Sequence, residues 1–233
     1  MRNSDPKSIE QLFDEIAPSY DKLNDLLSLG LHRIWKRQLL GWLKPTQGES
    51  WLDLCCGTGD LALVLAGRVR PSGHVLGLDS SSEQLSLAKK RSNKKPSLNI
   101  SWLQADALNT GLSSDCFDGA VMAYGLRNLS NPTLGLKEMQ RILKPGARAG
   151  ILDFNRLLND SFAAKFQKLY LRNFVVPIAS TLGLRDQYAY LEESLKEFSD
   201  GQEQEKMALE VGFSEAVHLK LAFGQMGVLL LKN

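Results

Sequence analysis

Residues 51–60, WLDLCCGTGD, decide the fold. Trp51, Leu52 and Leu54 make the short apolar run of a buried strand. Gly57 and Gly59 break it, and Leu61, Val64, Leu65 and Val69 follow at helical spacing. The order is strand, glycine turn, helix. Glycines in such a turn let the backbone approach a ligand, and the helix that follows presents N–H groups without intrahelical partners. The stretch therefore reads as a ligand-binding loop.

Outward from it, the pattern predicts strands over 51–55, 74–79, 99–103, 117–123 and 148–154, then a late pair near 216–222 and 226–231. Helices are expected over 60–69, 82–94 and 132–143. Such alternation means an α/β fold, a mainly parallel seven-stranded sheet with helices on both faces. Gly224-Gln225 lie between the late pair, which allows a hairpin and hence an antiparallel edge strand. The chain reads as a single domain, 1–233, with two helical additions. Residues 1–45 form an N-terminal cap, with Ile9, Leu12, Phe13 and Ile16 on one helical face. Residues 156–210 form an insertion before the last two strands. Its Leu158, Phe162, Phe166, Leu169 and Phe174 share a face that is either core or the mouth of an apolar channel.

Composition excludes several classes. A net charge of +2, without interleaved basic and aromatic residues, gives no nucleic-acid footprint. The basic run Lys89 to Lys95 reads as a solvated helix end. Three cysteines, two of them adjacent, make neither a disulfide framework nor a metal clip, and His32, His74 and His218 are scattered, so no metal is expected. Cys55 and Cys56 read as small apolar fillers. The N-terminus lacks a signal-peptide profile, and no apolar run approaches the roughly 20 residues of a membrane span. A cytoplasmic protein is the expectation.

Gly57-x-Gly59-x-x-Ala62, with Asp79 about 20 residues on, fits the dinucleotide fingerprint, so a nicotinamide enzyme stays open on this motif alone. Three acids favour S-adenosylmethionine (SAM). Asp53 precedes the turn as D-x-x-x-G-x-G, and a carboxylate there suits an ammonium and a sulfonium rather than a pyrophosphate. Asp79 ends the second strand, where it can accept from ribose hydroxyls. Asp106 follows the third strand, where it can accept from an adenine amino group while the Ala107 N–H meets the ring. Acids after three successive strands line the carboxyl edge of the sheet, where open α/β sheets bind ligands.

The stretches YDKLNDLLSLGLHRIW (Tyr20, Asp21, Asn24, Ser28, His32, Arg33, Trp35), LDLCCGTGDLA, YGLRNL and RILKPG resemble the ubiquinone/menaquinone biosynthesis C-methyltransferase family over nearly the whole chain. Two departures stand out: Ala147 where the family reads glycine, and Asp153-Phe154-Asn155 where it reads E-F-S. The resemblance implies a class I SAM-dependent methyltransferase, Rossmann-like, that methylates a ring carbon of a prenylated quinol. Residues 173–195 and the short C-terminus are similar to the cyanobacterial and plastid branch, which implies 2-phytyl-1,4-naphthoquinol and phylloquinone biosynthesis. Demethylmenaquinone, a benzoquinol of ubiquinone synthesis and a non-catalytic SAM-binding scaffold stay as alternatives.

With SAM bound, the expected contacts are Asp53, Gly57, Thr58, Gly59, Asp79, Asp106, Ala107, Ala123 and Asn128, with Tyr20 closing over the sulfonium. A quinol, unlike a quinone, is a carbon nucleophile. Its phenolate needs stabilising and its ring proton needs an acceptor. Arg127 is the first candidate, as a cation beside the phenolate or as the group that orients a water; it stays charged and cannot be the base. His32, which titrates near neutrality, and Asp153 are candidates for the proton. Leu26, Leu27, Leu29 and Leu31 are expected to meet residues 158–184 around the prenyl tail, with transient contact at a membrane surface; a homodimer is compatible with the sequence.

Overall fold

The computed structural model describes residue 28, residues 30–156, 194–195 and 198–233. Tyr20, Asp21, Leu26, Leu27, Leu29 and the apolar stripe from Leu158 to Phe174 lie outside the described residues.

The described chain runs α1 (His32–Leu43), β1 (Ser50–Leu54), α2 (Asp60–Val69), β2 (His74–Asp79), α3 (Ser82–Ser92), β3 (Ile100–Gln104), β4 (Phe117–Ala123), a 3-10 turn (Leu126–Asn128), α4 (Pro132–Ile142), β5 (Leu143–Phe154), α5 (Gly201–Glu210), β6 (Glu215–Leu221), a second 3-10 turn (Ala222–Gly224) and β7 (Met226–Lys232). One sheet joins the strands in the order β3-β2-β1-β4-β5-β7-β6. β7 runs antiparallel to both neighbours, β5 and β6, and the remaining pairs are parallel. The expected α/β fold and antiparallel last strand are found.

Helix boundaries follow local chemistry. Gly59 enters α2 at φ 77, a left-handed conformation that glycine adopts without a steric penalty. The Ser81 hydroxyl accepts the Gln84 N–H at the start of α3, and Asn131 does the same for Leu134 of α4, with Pro132 in the first turn. Asp200 and Glu203 form a reciprocal capping box on α5. α1 and α2 bury Leu39, Leu40, Leu43, Leu61, Leu65 and Val69 on one face of the sheet. α4 and α5 bury Leu136, Met139, Ile142 and Ala208 on the other.

The largest boundary difference is in β5. The sequence predicts a start at 148, but pairing begins at Leu143, which faces Phe117, and the register then slips before Gly119 meets Arg148. Pro145-Gly146 read as a loop because the excursion is held from far away in sequence. The amide of terminal Asn233 donates to the Leu143 carbonyl at 2.7 Å, and its backbone bonds Gly146 and Ala147. Ala147, where the family reads glycine, is outside the left-handed region and packs its methyl in the core, so the exchange costs nothing in backbone strain.

Glu138 of α4 braces the β3–β4 loop. It accepts from the Thr110 N–H (2.9 Å) and from Arg141 (2.7 Å), and Arg141 also reaches the Leu112 carbonyl. The Arg141 guanidinium and the Thr110 donors hold its carboxyl down to about 2. A depressed carboxyl stabilises the fold above its unfolded value of roughly 4.3 and loses that contribution as pH falls toward 2. Glu138→Gln is therefore expected to destabilise the protein by on the order of 2 kcal/mol at pH 7 and by much less at pH 2.5, read from urea unfolding at the two pH values.

Candidate active site

The carboxyl ends of β1, β2, β4 and β5 converge on one edge. There the glycine turn is built by packing from behind. A Cβ on Gly59 would come within 2.4 Å of the Trp102 indole, and one on Gly77 within 2.3 Å of the same ring. Trp102 of β3 thus fills the space that two glycines leave, and its ring N–H donates to Ser92. Asp79 ties the turn to β2, accepting from the Gly57 N–H at 2.7 Å and the Ser81 N–H at 3.0 Å. Thr58 is buried and accepts from Arg91 on its hydroxyl (2.8 Å) and its carbonyl (3.3 Å). The solvated-end reading of the basic run thus holds for exposed Lys89 and Lys90, whereas Arg91 is half-buried on the turn.

Asp53 lies beneath this turn with 1% of its surface exposed. It accepts the Ala62 N–H, and its Oδ2 has no partner among the described residues. Burial, with the charges of Asp60 and Asp79 added, pushes its carboxyl up to about 8. Lys36 of α1 offsets part of that charge: it is 7% exposed, bonds both oxygens of Asp60 at 2.7–2.8 Å and lies 5.4 Å from the Tyr124 ring centre. The Cys55 and Cys56 thiols are raised well above their ordinary range by burial, as suits inert fillers. Asp106 is exposed and accepts the Leu108 N–H, and Ala107 beside it is buried.

The β4–α4 loop brings the second group of residues together. Tyr124 follows Ala123 at φ 64, a strained conformation for an aromatic residue. Its carbonyl accepts from both Arg127 Nη1 and Asn128 Nδ2 at 3.0 Å. Arg127 Nη1 also meets Asp153 Oδ1 at 2.6 Å, while the Arg127 and Phe154 N–H groups donate to the same carboxylate. The guanidinium sits 5.2 Å from the Phe154 ring centre. Gly125 has no room for a side chain, since a Cβ would lie 2.7 Å from that of Cys55. The arginine loop is thus packed against the glycine turn.

His32 opens α1 and is 4% exposed. It lines a cleft of about 240 Å³ with Arg33, Lys36, Arg37, Asp60 and Arg91. Sequence reasoning passed over Lys36, Arg91, Trp102 and Tyr124. Only the paired small residues Gly59 and Gly77 hinted at a large partner opposite them.

The sequence profile of the ubiE/COQ5 methyltransferase family matches residues 1–230. The chain belongs to that family. A 2-phytyl-1,4-naphtoquinone methyltransferase of Nostoc punctiforme is 50% identical over 226 residues, covering 97% of this chain and 98% of the relative. The chloroplastic 2-phytyl-1,4-beta-naphthoquinone methyltransferase of Arabidopsis thaliana is 46% identical over 222 residues, covering 94% and 85%. Among solved structures, a SAM dependent methyltransferase from Aquifex aeolicus superposes with a TM-score of 0.67 at 18% identity, covering 93% of this chain and 97% of that one, a likeness of fold alone. As a ubiE/COQ5 methyltransferase the protein takes its methyl group from SAM, and the edge fits that donor. Asp53 keeps a buried carboxyl oxygen without a donor among the described residues, beside two further acids, which is a place for a cationic ligand.

A cation bound at Asp53 favours its ionised form, so SAM binding should expel a proton below about pH 8. Affinity is expected to rise with pH between 6 and 8, by up to about tenfold per unit, and Asp53→Asn should weaken binding about tenfold while abolishing that slope. Without SAM, a carboxyl raised from near 4 to about 8 means that stability falls as pH rises through this window, and the Asn variant flattens the fall. Calorimetric titration in buffers of different ionisation enthalpy reads the proton. Equal affinities and no proton release would remove Asp53 from the cofactor site.

Proposed function

We propose that the protein methylates the ring carbon of reduced 2-phytyl-1,4-naphthoquinone, the step that yields phylloquinol. Near-full-length identity of 46–50% to cyanobacterial and chloroplast proteins of that name supports the ring. The observation that carries the chemistry is Arg127: a guanidinium whose side chain is 9% exposed, fixed by Asp153 and flanked by the Phe154 ring.

SAM supplies an electrophilic methyl when bound, and Asp53, Gly57, Thr58, Gly59, Asp79, Asp106, Ala107, Ala123 and Asn128 are the residues that would hold it. A buried cation at the carboxyl edge stabilises a naphtholate oxygen far better than the same cation in water. That charge would raise electron density at the neighbouring ring carbon, which would take the methyl as its bond to the sulfonium sulfur breaks, leaving the neutral thioether, and would then lose its proton. Asp153 acts here as a positioning residue. Its carboxylate already receives three N–H donors, which suits holding the guanidinium rather than taking a proton. The proton passes to a water oriented by Arg127 or to His32. A long prenyl tail implies collection of substrate at a membrane surface, since no helix among the described residues is long and apolar enough to cross one.

Methyl-labelled SAM offered with the quinol and the quinone is expected to label the quinol alone. Arg127→Ala should lower kcat by about 100-fold with KM for SAM unchanged. Asp153→Asn should lower kcat about tenfold yet keep the acidic limb of the pH–rate profile; loss of that limb would make Asp153 the base. If His32→Asn loses the limb, the proton belongs to His32, and if it keeps it, to water.

A further inference from the structure

The β6–β7 turn carries three consecutive residues in the left-handed region: Ala222 at φ 48, Phe223 at φ 55 and Gly224 at φ 88. Two of them have side chains, and the middle one is an aromatic. Phe223 is 97% exposed, so its ring packs on almost nothing among the described residues. Neither turn geometry nor packing accounts for phenylalanine at a position that glycine would fill without strain. The turn is nevertheless held firmly. Asn155, two residues past Asp153, donates its amide to the Gly224 and Met226 carbonyls at 3.0 Å and its backbone N–H to Gln225 at 2.9 Å.

Because β6 runs parallel to β5, the turn that ends it lies at the carboxyl edge, where Arg127 and Asp153 lie. α1 begins at the same edge. It packs Leu39 and Leu43 over Gly150 of β5, yet Leu31 at its N-cap (41%) and Ile34 in its first turn (55%) are exposed. Arg33 and Arg37 are interleaved with them, no acid occupies the first turn, and exposed Lys220 adjoins the hairpin tip. Bare apolar side chains set among cations match a lipid–water interface of negative charge.

We infer that Phe223 is a bilayer anchor: the strained β6–β7 tip inserts its ring at an anionic membrane surface, together with Leu31 and Ile34 of α1, and sets the active-site edge against the lipid that holds the substrate. The inference rests on the lipophilic-quinol reading above and names the surface that serves it. The backbone strain keeps the ring outward, at a cost to stability that glycine at 223 would remove.

Phe223→Gly tests this, since it deletes the ring and relieves the left-handed strain. The variant is expected to melt about 2–4 °C higher than the wild type. It should bind vesicles of phosphatidylcholine mixed with phosphatidylglycerol at least fivefold more weakly in co-sedimentation, and lose turnover of vesicle-borne phytyl-naphthoquinol in proportion. Turnover of a short-tailed naphthoquinol in detergent-free solution should stay at the wild-type level. Binding equal to wild type, or wild-type protein that ignores the vesicles, overturns the anchor; normal turnover of the short-tailed quinol in that case leaves the methyltransferase reading intact. Loss of short-tailed turnover in Phe223→Gly would place the ring in the substrate site instead. A wild-type dimer that dissociates in the variant would assign the tip to a second copy of the chain. Both results refute the bilayer anchor.

Discussion

The buried pair of Arg127 and Asp153 is the interaction on which the active-site edge depends. Each charge would be costly alone away from water, and removing one member of such a pair costs about 3–5 kcal/mol. Here both are hydrogen-bonded beyond the pair. Asp153 takes two backbone N–H groups as well as the guanidinium, and Arg127 donates to the Tyr124 carbonyl. The pair therefore locks the loop after β4 to the end of β5, just beyond the Ala123–Leu152 register. That lock lets Tyr124 persist at a positive φ, a conformation whose cost of order 1–3 kcal/mol must be met by its surroundings.

On the cofactor side the constraint is steric as well as electrostatic. Trp102 occupies the volume behind Gly59 and Gly77, and Cys55 that behind Gly125. The three glycines are fixed by what lies behind the turn, as much as by any ligand before it. Lys36 compensates Asp60 at the same edge and Arg127 compensates Asp153, while Asp53 keeps an oxygen with no partner among the described residues. A buried acid held in this way favours a cationic ligand, which a pyrophosphate-bearing dinucleotide is not. The D-x-x-x-G-x-G spacing and the dinucleotide fingerprint share their glycines; they part at the buried acid.

The alternation of elements was legible because each strand is a short apolar run closed by a turn residue, and because Asn131-Pro132 and Ser81 write their caps locally. The acids of the cofactor edge were legible for the same reason, as each follows a strand end. What could not be read depends on contacts between distant residues. The β5 excursion is held by Asn233, and the brace on the β3–β4 loop comes from Glu138 and Arg141. Arg91 sat in a run of basic residues that composition assigns to solvent, yet its side chain reaches the turn at Thr58. Trp102 showed only as one more apolar strand residue. Single-sequence periodicity reports which face a side chain takes, not which backbone gap it fills.

The two departures at the end of β5 make sense together. A shorter acid at 153 keeps the guanidinium at 2.6 Å and still bends back to the N–H of Phe154 at 2.8 Å, a local contact that an extra methylene would overshoot. Asn155 offers two amide hydrogens where serine offers one, and both are used, on Gly224 and Met226. One residue thus clamps both ends of the β6–β7 tip, and that clamp meets the strain of left-handed Ala222 and Phe223. A serine in its place would leave either the half-buried Gly224 carbonyl or the buried Met226 carbonyl without this donor, at a cost of about 1–3 kcal/mol. The exchange at 155 therefore bears on the aromatic at 223: the first holds both flanks of the left-handed turn that carries the second.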